Sequence, residues 1–270
     1  MATHSDITVS FAQQVIEGVK RVAADEIMPR YRSVVATRKD DGSLVTEADF
    51  ASQRALVRSL TKIEALPVMG EEMAREAQQE ILAHAPRFWC VDPIDGTSNF
   101  AAGVPYFAVS VALVEHANPV LGVTYDPVAD QVFYAVRGGG AWVDHKPLEL
   151  KGGAPALAQA FAEVSVRAEH KPLRNALKRE RPYGKRRTSG SSTLSWCDLA
   201  AGRIDAMVSS GQKMWDYAAG CLILREAGGA LTTLEADDFW ASPPWIRSVI
   251  AARTPELLAE WQAWVRPHLA

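Results

Sequence analysis

Cysteine is scarce in this chain of 270 residues, with three in all, and the three, Cys90, Cys197 and Cys221, stand far apart. An odd, scattered set builds neither a disulfide framework nor a zinc site of closely spaced thiolates, and it points to a reducing cytoplasm. Long hydrophobic runs are also missing. The most apolar stretch, Phe100 to Val114, is too short for a bilayer and is broken by Gly103 and Pro105, so no membrane partner is expected. The start, Met1-Ala2-Thr3-His4-Ser5-Asp6, lacks the basic and apolar regions of a secretory signal. Positive charge is not in excess: 29 Lys and Arg stand against 32 Asp and Glu, a net charge of −3. A general nucleic-acid binder needs a positive field that this balance does not supply.

What is present is an ordinary globular composition, 48% hydrophobic and 23% charged, in a chain long enough for a large core. Apolar residues at Phe11, Val15, Val19 and Val22 recur every three or four positions and predict a helix within Ile7 to Arg30. Thr46 to Leu60 predicts a second, burying Phe50, Leu56, Val57 and Leu60. From Arg87 the pattern becomes that of strands: Phe88 to Val91, Tyr106 to Val114, Val120 to Tyr125 and Gln131 to Val136, with a hairpin at Gly138-Gly139-Gly140 leading into Ala141 to Val143. The later part alternates. Strands are expected at Phe161 to Val166, Ile204 to Val208, Ala230 to Leu234 and Ser248 to Ala252. Helices are expected at Ser192 to Ala201, Asp216 to Ala227 and Pro255 to Val265, the second stopped by Gly228-Gly229. No polar linker divides the chain, so residues 1–270 read as one layered α/β domain.

Chemistry concentrates at Asp92-Pro93-Ile94-Asp95-Gly96-Thr97, directly after an apolar strand. Pro93 keeps Asp92 extended, and Gly96 permits a tight turn into a helix start at Thr97-Ser98-Asn99. Two carboxylates can hold a hard divalent cation while helix-start N–H groups receive a phosphate. Asp and Gly equally suit a plain surface turn. Other acidic residues have similar double readings. Asp49 follows Thr46 at capping-box spacing, Asp216 suits an N-cap, and Glu71-Glu72 suits the first turn of a helix.

Taken together, the segments are more specific. Trp89-Cys90-Val91-Asp92-Pro93-Ile94-Asp95-Gly96-Thr97-Ser98-Asn99-Phe100 resembles the metal-binding signature of the inositol monophosphatase family. Trp215-Asp216-Tyr217-Ala218-Ala219-Gly220, running on to Glu226-Ala227-Gly228-Gly229, resembles its second signature. Gly70-Glu71-Glu72 and Val45-Thr46-Glu47-Ala48-Asp49 look like its remaining acidic motifs, in the family's order. The resemblance implies an α/β fold, a five-layer αβαβα sandwich of the inositol monophosphatase and fructose-1,6-bisphosphatase type, in a homodimer. It implies a magnesium-dependent, lithium-sensitive phosphatase. Glu71, Asp92 and the Ile94 carbonyl would ligate one Mg²⁺, and Asp92, Asp95 and Asp216 a second, with a weaker third near Glu71. Glu71, Thr97 and Asp49 would be catalytic, the last two orienting the attacking water. Gly96, Thr97 and Asp216 would face the substrate.

That substrate would be a small phosphorylated alcohol, by default inositol monophosphate. Histidinol phosphate, a 3′(2′),5′-bisphosphate nucleotide and fructose bisphosphate are the family alternatives, and a non-catalytic scaffold keeping the fold is the reading from another class. Lys39 resembles a family position near the metals. Inositol-selective members carry a glutamate seven residues before the Trp-Asp aspartate, where this chain has Ser209. The basic stretch from Arg167 to Arg187 reads as a solvated helix face.

Overall fold

The computed structural model of the chain describes residues 7–39 and 42–269, so the reading of the start, Met1 to Asp6, lies outside the described residues. Helix α1 (Val9–Val22) begins where Thr8 Oγ1 accepts the Phe11 N–H at 3.1 Å, and it buries Ala12, Val15, Ile16, Val19 and Val22. It does not run on to Arg30 as one α-helix. A π turn at Ala23–Ile27 and a 3₁₀ turn at Met28–Arg30 follow, because Pro29 has no N–H for the Asp25 carbonyl and its ring crowds that group. Helix α2 (Glu47–Ile63) buries Ala48, Leu56 and Leu60, but Phe50 is 42% exposed, against expectation. At 100° per residue Phe50 stands about 200° from Ala48 and faces away from the buried stripe.

The remaining helices are α3 (Arg75–His84), α4 (Thr97–Ala102), α5 (Lys171–Glu180), α6 (Ser192–Ala200), α7 (Met214–Glu226) and α8 (Pro255–Val265). Strands β1 (Thr37–Arg38) and β2 (Leu44–Val45) form a small antiparallel pair. A seven-stranded sheet runs in chain order through β3 (Val68–Gly70), β4 (Arg87–Asp95), β5 (Ala108–Glu115), β6 (Asn118–Asp126), β7 (Gln131–Val136), β8 (Gly140–Val143) and β9 (Lys146–Pro147). Only β3 and β4 are parallel in it. Strands β10 (Phe161–Ser165), β11 (Lys185–Arg187), β12 (Ala206–Lys213), β13 (Ala230–Thr232) and β14 (Ile246–Ala252) form a second sheet in the order β11-β10-β12-β14-β13.

Apolar packing sorts these elements into five layers. One core joins α1 and α2 to the outer face of the first sheet through Val15, Val19, Leu56, Val91, Val109 and Val123. A second lies between the sheets, where Trp196 of α6 and Leu222 and Ile223 of α7 meet Phe88 and Phe133 on one side and Met207 and Val249 on the other. A third packs Leu173 of α5 and Trp261 of α8 on the far face of the second sheet. The order is therefore αβαβα, as the resemblance implies.

Both sheets carry a one-residue irregularity at the same end of the molecule. In the β4–β5 pair, Asp92 faces Ser110 and Asp95 faces Ala108, three residues against two. In the β12–β14 pair, Ser209 faces Val249 and Gln212 faces Arg247, again three against two. Strict alternation would send residues three apart to opposite faces. The extra residue cancels that, so Asp92 and Asp95 share a face, and so do Ser209 and Gln212.

Candidate active site

The bulge in β4 aims its carboxylates at the N-terminus of α7. Carboxylate oxygens of Asp92, Asp95 and Asp216 all lie within 4.8 Å of one another. Three ionised carboxylates that close repel by about 3 kcal/mol per pair at an effective dielectric near 20. Burial, with Glu71, Asp95 and Asp216 adding, pushes the Asp92 carboxyl well above its usual range. Burial, then Asp95 and Glu71, does the same at Asp216. The donors here are hard carboxylate oxygens, and this chemistry fits Mg²⁺ better than a thiophilic ion. Cys90, on the same strand, is fully buried and its thiol is pushed well above its ordinary value by burial, as suits a core residue.

Each carboxylate is held from behind. Asp92 Oδ1 accepts the Ile94 N–H at 3.1 Å. Asp216 Oδ2 accepts the Lys213 N–H at 2.8 Å, so the residue caps α7 and faces the cluster at once. Asp95 takes the strongest grip. Its Oδ2 accepts the Thr193 N–H at 2.8 Å and Thr193 Oγ1 at 2.7 Å, together with the Ser191 hydroxyl, while Oδ1 accepts Ser192 Oγ at 3.0 Å. The run Ser191-Ser192-Thr193 belongs to no acidic motif, and sequence alone gives it no part in the site. Its signal is three hydroxyls opening an apolar helix, which is N-cap composition. Ser191 does cap α6, accepting the Leu194 N–H at 3.3 Å, and donates to Asp95 as well.

Asp49, 1% exposed at the start of α2, accepts the Thr46 N–H at 2.7 Å and the Thr46 hydroxyl at 2.6 Å, both on Oδ2. Its Oδ1 is left for Thr97 Oγ1 at 3.2 Å. Burial raises its carboxyl against the pull of these donors. Thr97 Oγ1 also lies 3.0 Å from the Ile94 carbonyl, and its single proton serves one acceptor at a time. Gly96, at φ +90°, turns the chain from β4 into α4. A Cβ there would lie 3.1 Å from the Tyr106 carbonyl and 3.2 Å from that of Gly190, so only glycine fits the turn. Asn99 Nδ2 then ties α4 to the second sheet's loop, donating to Tyr106 O at 2.7 Å and to Ser189 O at 2.9 Å.

Glu71 stands apart from the trio. It lies in the turn after β3, not in a helix, and its Oε1 is 3.1 Å from Lys39 Nζ, which also reaches Glu72 at 2.6 Å. Gln78 Nε2 holds this turn by donating to Gly70 O at 2.7 Å and Glu71 O at 3.2 Å. Burial first, opposed by Lys39 and aided by Glu72 and Asp95, raises the Glu71 carboxyl from 4.5 to about 7.

A cleft of about 280 Å³ opens in front of Asp95 and Asp216. That is just under the usual range for small-molecule sites, about 300–1,000 Å³, and far too small for a folded partner. Its far wall comes from β10, β12 and the loop before α6, through Glu163, Ser165, Arg167, Thr188, Ser209 and Gln212.

Layered sheets with three carboxylates gathered where a bulged strand meets a helix start form a cluster that could hold a hard cation. The sequence model of the inositol monophosphatase family matches residues 7–266, and the chain belongs to that family. It is 32% identical over 236 residues to the inositol-1-monophosphatase ImpA of Mycolicibacterium smegmatis, covering 82% of this chain and 80% of that one. It is also 32% identical over 262 residues to the Nus factor SuhB of Haemophilus influenzae, covering 92% and 93%. Among solved structures, the Thermotoga maritima IMPase superposes with a TM-score of 0.82 at 26% identity, over 97% of this chain and all of that one. The SuhB protein of Bartonella henselae gives 0.81 at 25%, over 95% and 98%. No helix among the described residues is long and apolar enough to cross a membrane.

Proposed function

We propose that this chain is a Mg²⁺-dependent phosphomonoesterase that releases phosphate from a small phosphorylated alcohol by attack of an oriented water. The observation that carries this is the Asp92, Asp95 and Asp216 trio with the Thr97–Asp49 pair beside it. Relatives include proteins named as Nus factors, so family membership alone does not assign chemistry. An intact and rigidly supported acidic set does support it, against a scaffold that merely keeps the fold.

Asp92, Asp95 and Asp216, with Glu71 and the Ile94 carbonyl, would hold the ions. Bound Mg²⁺ supplies charge for the phosphate oxygens and acidifies water. The chain supplies orientation. With its proton directed to Asp49, Thr97 Oγ1 offers lone pairs to a water and fixes where that water's own lone pair points. Thr46 leaves Asp49 Oδ1 as the acceptor that keeps Thr97 in this role. First-turn amides of α4, including that of Thr97, lack intrahelical partners and suit phosphate oxygens, with Gly96 allowing close approach. Asp216 faces the substrate side. No side chain is required as a nucleophile.

Inositol monophosphate is the default substrate, with histidinol phosphate and a 3′(2′),5′-bisphosphate nucleotide as the alternatives. Ser209 in the cleft wall is neutral, where a carboxylate acceptor for ring hydroxyls would contribute about twice as much per hydrogen bond. We expect broad activity, with no substrate preferred by more than about a hundredfold, near 2.7 kcal/mol. The protein would act as a cytoplasmic homodimer and be inhibited by lithium beyond the effect of equal sodium. Phosphate release with Mg²⁺ from inositol 1-phosphate, histidinol phosphate, glycerol 2-phosphate and adenosine 3′,5′-bisphosphate tests the reading. Release from none of them would end it.

A further inference from the structure

The cleft wall opposite the carboxylates carries a cation that the proposed hydrolysis does not use. Arg167 follows β10, and its backbone N–H is fixed by Ser210 Oγ at 2.8 Å, across from the bulge in β12. Its guanidinium runs along the Gly211 backbone. Its Nη1 lies 3.9 Å from where a Cβ on Gly211 would stand, an ordinary contact distance, which places the guanidinium beside the bulge in β12. The side chain is exposed to the cleft and, among the described residues, has neither a hydrogen bond nor an ion pair. Among the described residues it is the one basic residue in a lining that also includes Asp95 and Asp216.

The acids around it are otherwise engaged. Asp95 and Asp216 belong to the cation site. Glu163, 6% exposed, accepts the Ser189 N–H at 3.4 Å and Ser189 Oγ at 3.2 Å. Around Arg167 the wall is neutral, made of Ser165, Thr188, Ser209 and Gln212. A planar guanidinium without an ion pair among the described residues, in a small cleft shared with Asp95 and Asp216, suits a carboxylate or phosphate that it can bind with two parallel hydrogen bonds.

We infer that, within the broad range this site accepts, a second anionic group on the alcohol strengthens binding over that of the matched neutral alcohol, and that Arg167 is the residue that reads it. The inference rests on the phosphomonoesterase reading for the position of the reacting phosphate. Arg167 is thus a specificity residue on the leaving-group side, distinct from the groups that hold the water.

Two substrate pairs that differ in one group isolate the effect. Glycerol 2-phosphate and 2-phosphoglycerate differ by a carboxylate, and 1,3-propanediol monophosphate and bisphosphate differ by a phosphate. Affinity for each is measured by calorimetry on protein loaded with Ca²⁺ in place of Mg²⁺, and kcat/KM by phosphate release with Mg²⁺. The anionic member of at least one pair is expected to bind about tenfold tighter or better, equivalent to about 1.4 kcal/mol. In Arg167→Met the ratio should fall to within about twofold of one, and Arg167→Lys should keep part of it. Using the ratio cancels any general loss in the variants. Ratios near or below one in both pairs for the unaltered protein overturn the inference, as does a high ratio that survives Arg167→Met. Binding ratios as expected without phosphate release would instead sink the hydrolytic reading and leave Arg167 as an anion receptor.

Discussion

At the scale of single residues, Asp95 and Glu71 have opposite environments. Asp95 is gripped by four donors from Ser191, Ser192 and Thr193. In Asp95→Asn the amide oxygen can keep the three donors on the Oδ2 side, while the NH₂ meets Ser192, whose hydroxyl can turn to accept. The variant should fold, with a melting temperature within a few degrees of the parent, and lose at least about a hundredfold in kcat. Near-parental kcat would make Asp95 a turn residue and nothing more. Glu71 is raised to about 7 mainly by burial, so between pH 4.5 and 7 the folded chain holds a proton that the unfolded chain has released. Metal-free protein should therefore lose stability as pH rises through that window. Asp92 and Asp216, also raised, push the same way. Melting temperature in chelator should fall from pH 5 to pH 8, and Mg²⁺ should raise it more at pH 8. A chelated protein that melts higher at pH 8 contradicts this account of the cluster.

At the scale of elements, close approach decides the architecture. Gly220 of α7 faces Trp196 of α6, and a Cβ there would sit 2.3 Å from the Trp196 Cβ. Gly220→Ala must push the two central helices apart and should cost about 1–3 kcal/mol, read as a lower urea midpoint. An unchanged midpoint would mean the helices are not locked together. Much of the element structure was legible beforehand. The strands from Phe88 to Val136 are long, apolar and bounded by turns, and Asp216 to Ala227 has a clear stop at Gly228. The short parallel strand β3 and helix α3 were not read, because three residues carry no period and α3 buries only Gln78. Phe50 is apolar but stands off the buried stripe of α2, so its helical angle and not its hydrophobicity decides its exposure. The basic stretch proved to be helix α5 flanked by strand β11, with Arg167 turned to the cleft. Of the site, the acidic residues were legible from their motifs. The bulges that aim them were not, since a bulge is a relation between two strands and is not written in either alone.

At the scale of the whole molecule, the site exists only where the two sheets are held together. Asp92 and Asp95 come from the first sheet, Asp216 from the helix that leaves the second, and their oxygens meet within 4.8 Å. Asn99 and the Ser191–Thr193 run link the halves by hydrogen bonds, but the three carboxylates, once ionised, resist the junction. A cation at this point would offset that repulsion and join the halves, which makes chemistry and cohesion depend on the same ion. Turnover of inositol 1-phosphate or glycerol 2-phosphate, before and after exhaustive EDTA treatment and again after adding Mg²⁺, tests this most directly. Phosphate release should vanish with the chelator and return with Mg²⁺ alone. Undiminished turnover in metal-free protein would contradict the account at its centre.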